Sequence, residues 1–63
     1  MTEKFTIFHS SGNKEIIFGS SLYFSDHGRF TCFVLADGGV YMVNTDKVTC
    51  VVCEEAEEET DAN

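Results

Sequence analysis

Arg29-Phe30-Thr31-Cys32-Phe33-Val34-Leu35-Ala36-Asp37-Gly38-Gly39-Val40-Tyr41-Met42-Val43-Asn44-Thr45-Asp46-Lys47-Val48-Thr49-Cys50-Val51-Val52-Cys53 is the stretch that decides the fold. Three runs rich in β-branched and aromatic residues are separated by two tight-turn signals, Asp37-Gly38-Gly39 and Thr45-Asp46. This is the pattern of consecutive antiparallel strands. The spacing predicts strands over residues 29–35, 40–44 and 47–53.

Two-residue turns fix which residues face each other. A turn at Asp37-Gly38 sets Leu35 opposite Val40, and one at Gly38-Gly39 sets Leu35 opposite Met42. The two choices differ by two residues, so the faces are the same either way. One face then holds Phe30, Cys32, Val34, Ala36, Tyr41, Val43, Val48, Cys50 and Val52, and is expected to be the core. The other holds Thr31, Phe33, Leu35, Val40, Met42, Asn44, Lys47, Thr49, Val51 and Cys53. It is polar at its ends and apolar across its centre, too greasy for plain solvent exposure. Either Phe5, Ile7, Ile16 and Phe18 of the N-terminal hairpin cover it as the sheet curls over, or it is a contact surface for another chain.

Working outward, runs of strand-forming residues continue at 4–8, 15–18 and 22–24. Turn clusters lie at Ser10-Ser11-Gly12-Asn13, Gly19-Ser20-Ser21 and Ser25-Asp26-His27-Gly28. No stretch of helical period competes. The expected fold is all-β: a small antiparallel meander of five to six short strands, forming a curled sheet or open barrel, over residues 1–53.

Beyond Cys53 the composition changes abruptly. Residues 54–63 carry Glu54, Glu55, Glu57, Glu58, Glu59 and Asp61 and nothing more apolar than Ala. Such a segment cannot offset the entropy of ordering, so a disordered acidic tail is expected. The chain has 11 acidic and 4 basic residues, a net charge of -7. Most of the excess sits in the tail, and the body is nearly neutral.

This balance argues against a nucleic-acid backbone as a direct partner. No apolar run is long enough to span a bilayer, and the N-terminus lacks the layout of a secretory signal. A cytoplasmic protein without membrane contact is expected. At 63 residues the core is small, and such domains usually need reinforcement from disulfides, a metal or self-association. An odd count of three cysteines disfavours a disulfide framework.

Cys50-Val51-Val52-Cys53 has the spacing of half a zinc site. Chelation by such a pair needs a tight turn, whereas Val51 and Val52 are strand formers, and residues three apart in a strand point to opposite faces. Cys32, His9 and His27 could in principle complete a set, so a small metal-stabilised domain is kept as an alternative, and no metal or other cofactor is assigned. A Cys32–Cys50 disulfide is not expected, because their strands would be second neighbours, about 9 to 10 Å apart.

His9 beside Ser10 and Ser11, and His27 beside Asp26, fall in turns rather than in a cleft, so no catalytic residue is assigned and no enzyme is expected. The run Gly28–Leu35 resembles the aromatic strands on which RNA-binding sheets stack bases. Phe30 and Phe33 fall on opposite faces, however, and no basic groove accompanies them.

The expected function is therefore a non-enzymatic protein-binding module. Its form would be that of the small inhibitors with which phages and mobile elements block a host nucleic-acid enzyme or defence complex, a prior resting on size and charge. The contact residues are expected to be Phe33, Val40, Met42 and Val51, with the carboxylates of Glu54, Glu55, Glu57, Glu58, Glu59 and Asp61 engaging a protein partner that has a basic surface. A homodimer is also expected, and a structural homo-oligomeric accessory protein is the alternative in which the same patch is only the self-interface.

Overall fold

In a computed structural model, which describes residues 2–56, five antiparallel strands form one open sheet: β1 (Glu3–His9), β2 (Lys14–Ser25), β3 (Phe30–Leu35), β4 (Val40–Asn44) and β5 (Val48–Glu55). A single 3-10 turn, Thr45–Lys47, joins β4 to β5, and there is no α-helix among the described residues. The strand order is β4-β3-β2-β1-β5. The expected all-β meander is present through its first four strands. The last step differs: β5 does not fold back on β4 but crosses to the far edge and pairs with β1.

The 3-10 turn explains this step. Asn44 caps it, its side-chain oxygen accepting a hydrogen bond from the Asp46 amide at 3.0 Å. Asn44-Thr45-Asp46 thus reads as a capping signal rather than as a two-residue hairpin turn. The chain is redirected instead of reversed, and the Ser10 amide anchors the exit by donating to the Lys47 carbonyl at 2.8 Å.

The β3–β4 hairpin is also built differently from the expected one. Leu35 N–H donates to the Gly39 carbonyl at 2.8 Å, and Gly38 adopts a left-handed φ of 99°. The loop is thus the three residues Ala36, Asp37 and Gly38, with the glycine at the position that needs positive φ. The resulting register sets Phe33 opposite Tyr41 and Cys32 opposite Met42. Compared with a two-residue turn this is a slip of one, and a slip of one exchanges the faces.

Phe33 and Leu35 therefore face the core together with Tyr41 and Val43, while Cys32 and Val34 lie on the other side of β3. Phe33 is fully buried at 0% exposure and joins Phe5 and Ile7 at the centre of the core. Ile17, Leu22, Val48 and Val51 pack around them. Of the four hairpin residues expected to cover this face, Phe5 and Ile7 do so, whereas Ile16 and Phe18 are exposed.

Two bulges complete the account. Gly19-Ser20-Ser21 is not a turn: Gly19 pairs with Leu35 and Ser21 with Val34, which leaves Ser20 as the extra residue inside the long strand β2. The bulge exchanges alternation along β2, so that Ile17 before it and Leu22 after it both reach the core. Gly19 is buried where β3 passes closest, and a Cβ there would run into the Val34 carbonyl oxygen. On β5 the pairing shifts between Phe8–Cys50 and His9–Val48, leaving Thr49 unpaired, and for the same reason Val48 and Val51 both point inward.

β5 continues to Glu55, with Glu54 opposite Lys4 and Glu55 opposite Glu3, and the Ala56 amide donates to the Thr2 carbonyl at 3.1 Å. The expected boundary after Cys53 is thus two residues early, because the edge of β1 offers backbone partners along its whole length. Glu57, Glu58, Glu59 and Asp61 lie outside the described residues.

Candidate interaction surface

The pairing registers place the outer face of the sheet in rows. On the half built from β2, β1 and β5, one row runs Ile16, Thr6, Val52 and the next runs Phe18, Lys4, Glu54. Ile16 is 47% exposed, Phe18 49% and Val52 42%. The aliphatic stem of Lys4 lies beside these groups, and the carboxylate of Glu54 borders them at the end of β5, while Glu55, opposite Glu3, lies on the other face of the strand. Large apolar side chains on β2 and β5 thus share one face, flanking Thr6 and Lys4 of β1, next to the start of the acidic segment.

On the other half, built from the C-terminal part of β2 with β3 and β4, the rows are Ser21, Val34, Val40 and Tyr23, Cys32, Met42. Val40 is 50% exposed and Met42 52%, and Tyr23 is exposed beside them. Cys32 is buried within this row, its sulfur 3.4 Å from the Ser25 hydroxyl.

The expected contact residues therefore separate. Val40 and Met42 are exposed, as a contact surface requires. Phe33 is buried and Val51 is half-buried against the core, so neither can meet a partner, and the four do not form one surface. The cause is the one-residue hairpin slip for Phe33 and the relocation of β5 for Val51. Glu54 and Glu55 are exposed on β5.

Sequence reasoning missed Ile16, Phe18 and Val52 as exposed groups. The signal was present in Glu15-Ile16-Ile17-Phe18, an apolar run on both faces of a strand, of which only one face can be core.

A polar cluster ties the concave side together. Glu15, on β2, accepts hydrogen bonds from the Tyr41 hydroxyl at 2.7 and 2.8 Å and lies 2.8 Å from His9 Nε2. Tyr41 belongs to β4, so this contact spans β3 and fastens the edge strand to the β1–β2 hairpin. The Tyr41 hydrogen bond, followed by that of His9, holds the Glu15 carboxyl below its ordinary value, since both donors favour the ionised form. The same bond pushes the Tyr41 phenol up.

His9 and Glu15 also border a shallow open depression with Ser11, Asn13 and Lys14. Here the Ser11 hydroxyl accepts from the Asn13 amide at 3.4 Å, a local turn contact, while His9 is engaged by the carboxylate. Asp26, His27 and Gly28 form the exposed β2–β3 turn, all with left-handed φ.

All three cysteines are free thiols. Cys50 pairs with Phe8 and Cys53 with Phe5, positions of opposite parity on β1, so the two thiols point to opposite faces of β5. Cys53 donates to Glu3 Oε1 at 2.8 Å, and that bond, above all, raises its thiol. Among the described residues no three His, Cys, Asp or Glu side chains gather in a way that could hold a metal ion. No described helix is long and apolar enough to cross a membrane.

The fold and its outer surface define a small open-sheet β protein with two separate exposed apolar patches. The chain matches no protein-family model, no curated protein and no solved structure.

Proposed function

We propose that the protein is a non-enzymatic, cytoplasmic protein-binding module whose contact face is the outer surface of β2, β1 and β5. The observation that carries this reading is the exposure of Ile16, Phe18 and Val52 on that one surface, Ile16 and Val52 in the same row on either side of Thr6. Three large apolar groups presented to solvent by so small a domain cost solubility without adding to its core, which a binding role explains. The patch adjoins Glu54, which begins the acidic stretch. A partner that offers an apolar pocket flanked by basic residues complements both features. Basic surfaces of this kind are what proteins that handle nucleic acid present. A blocker of a host nucleic-acid enzyme or defence complex, of the sort mobile elements encode, is accordingly the form of this function that best fits the charge.

The test is recovery of interacting proteins from host lysate by the full chain, by Ile16→Lys and Phe18→Lys, and by a variant lacking residues 57–63, followed by kinetics on any partner recovered. The expected result is a partner lost with either substitution, whose association rate falls and becomes less salt-dependent in the shortened chain. A partner retained by both substituted chains contradicts the reading.

A further inference from the structure

We infer that the outer edge of β4 is a self-pairing edge, and that two copies of the chain join there, β4 against β4, about a two-fold axis at Met42. This rests on a different strand from the proposed target face and stands independently of it.

The backbone geometry selects this edge. Leu35 N–H bonds to the Gly39 carbonyl and Thr45 N–H to the Arg29 carbonyl, both at 2.8 Å. In an antiparallel ladder the hydrogen-bonded pairs recur every second residue, so between these two the pairs Phe33–Tyr41 and Thr31–Val43 also bond. Tyr41 and Val43 therefore direct their amides and carbonyls at β3. Val40, Met42 and Asn44 direct theirs away from the sheet, where no other described strand pairs with them.

These three positions are symmetric about Met42. A second copy laid antiparallel sets Val40 opposite Asn44 of the other chain, Met42 opposite Met42, and Asn44 opposite Val40. The Met42 pair can exchange two bonds, and at each end the Asn44 amide can donate to the Val40 carbonyl of the other chain, the Asn44 carbonyl being engaged by the 3-10 turn it caps. The side chains agree with the backbone. Residues 38–45 contain no charge and no proline, the usual devices that blunt an edge. The row Tyr23, Cys32, Met42 would run directly into its symmetry mate, covering the exposed Met42 and Val40.

Charge also decides against the alternative edge. β5 carries Glu54 and Glu55 at its end, charges of the kind that blunt an edge against pairing, whereas β4 carries none. A β4–β4 contact is closed by its own symmetry, whereas a β4–β5 contact leaves an edge free at each end and propagates.

The experiment is sedimentation velocity of the full chain over a concentration series, alongside amide hydrogen exchange at the two ends of that series. A reversible dimer is expected. Met42 and Asn44 amides should gain protection with concentration, whereas the Tyr41 amide, already bonded to β3, should not. Met42→Lys brings two like charges together at the axis and should weaken the dimer by about tenfold or more, while Ile16→Lys leaves it intact. A chain that stays monomeric at the highest concentration, a dimer weakened by Ile16→Lys and not by Met42→Lys, or concentration-independent exchange at Met42 overturns the proposal. Should Met42→Lys fail to fold, the exchange data on the unsubstituted chain still decide. Loss of target binding in Ile16→Lys with an intact dimer would separate the two surfaces.

Discussion

Phe5 and Phe33 meet edge to face, their ring centroids 5.2 Å apart and their planes at 62°, although β2 lies between their strands in the sheet. Strands two places apart are separated by roughly 9 to 10 Å in a flat sheet. The contact therefore depends on curling, which turns the inner faces of β1 and β3 toward each other. Edge-to-face geometry sets the positive rim of one ring against the negative face of the other and adds to the area both bury. Tyr41 extends the arrangement, its ring centroid 6.3 Å from that of Phe33.

Phe33→Ala should remove the centre of this cluster. Truncating a buried Phe typically costs about 3 to 5 kcal/mol, comparable with the whole stability a core of this size supplies. Far-UV circular dichroism in buffer should show a largely unfolded chain. Val40→Ala, at an exposed position, should stay within about 0.5 kcal/mol of the parent in urea denaturation. Equal effects at the two sites would mean that the hairpin register is wrong.

Gly19→Ala tests the bulge on β2. The added methyl has no room beside the Val34 carbonyl oxygen, which is backbone and cannot swing aside. A loss of about 1 to 3 kcal/mol follows, read from the urea midpoint, whereas Ser20→Ala, at the exposed extra residue, should change little.

The Glu15 cluster gives stability a defined pH window. The Glu15 carboxyl is held below its ordinary 4.5, so its contribution is complete above that pH and is lost as pH falls through the lower folded value. The Tyr41 phenol is raised above 10.0, so its contribution is complete below that pH and is lost as pH rises through the higher folded value. Tyr41→Phe should move the Glu15 titration upward, followed by carboxyl carbon chemical shifts, and should weaken the acid-side dependence of the thermal midpoint. An unmoved Glu15 titration would show that the hydroxyl is not its principal donor.

The thiols should separate by accessibility. Cys32 is buried, while Cys50 and Cys53 are exposed. A disulfide reagent at neutral pH should label two thiols in the native chain and the third only on unfolding. Because the Cys53 thiol is raised chiefly by its hydrogen bond to Glu3, Glu3→Gln should bring the labelling of Cys53 to lower pH. Rapid labelling of three thiols would contradict the burial of Cys32.

Much of the fold was legible in the residues themselves. Strand-forming runs and turn clusters marked β1, β3 and β4 within a residue or two, because side-chain type and glycine placement act locally. What was not legible depends on counting by one. Asp37-Gly38 serves a two-residue and a three-residue loop equally well, and the extra residue moves Phe33 from a surface to the centre of the core. Ser20 and Thr49 are ordinary strand residues, and nothing in their chemistry announces a bulge. The destination of β5 is a choice between two free edges, β4 and β1, and it turns on whether Asn44-Thr45-Asp46 reverses the chain or, as the capped 3-10 turn does, redirects it. The candidate surface was legible only in part for the same reason: Val40 and Met42 keep their exposure under either register, while Ile16, Phe18 and Val52 become a patch only once β5 lies beside β1.

The placement of β5 is what the β2-β1-β5 face and the free edge of β4 both require, and cross-strand proton contacts measured by nuclear magnetic resonance test it most directly. Contacts between Thr6 and Val52 and between Phe5 and Cys53 are predicted, with none between β4 and β5. Contacts joining Met42 to residues of β5, as in a three-stranded β3-β4-β5 ribbon, would contradict the account.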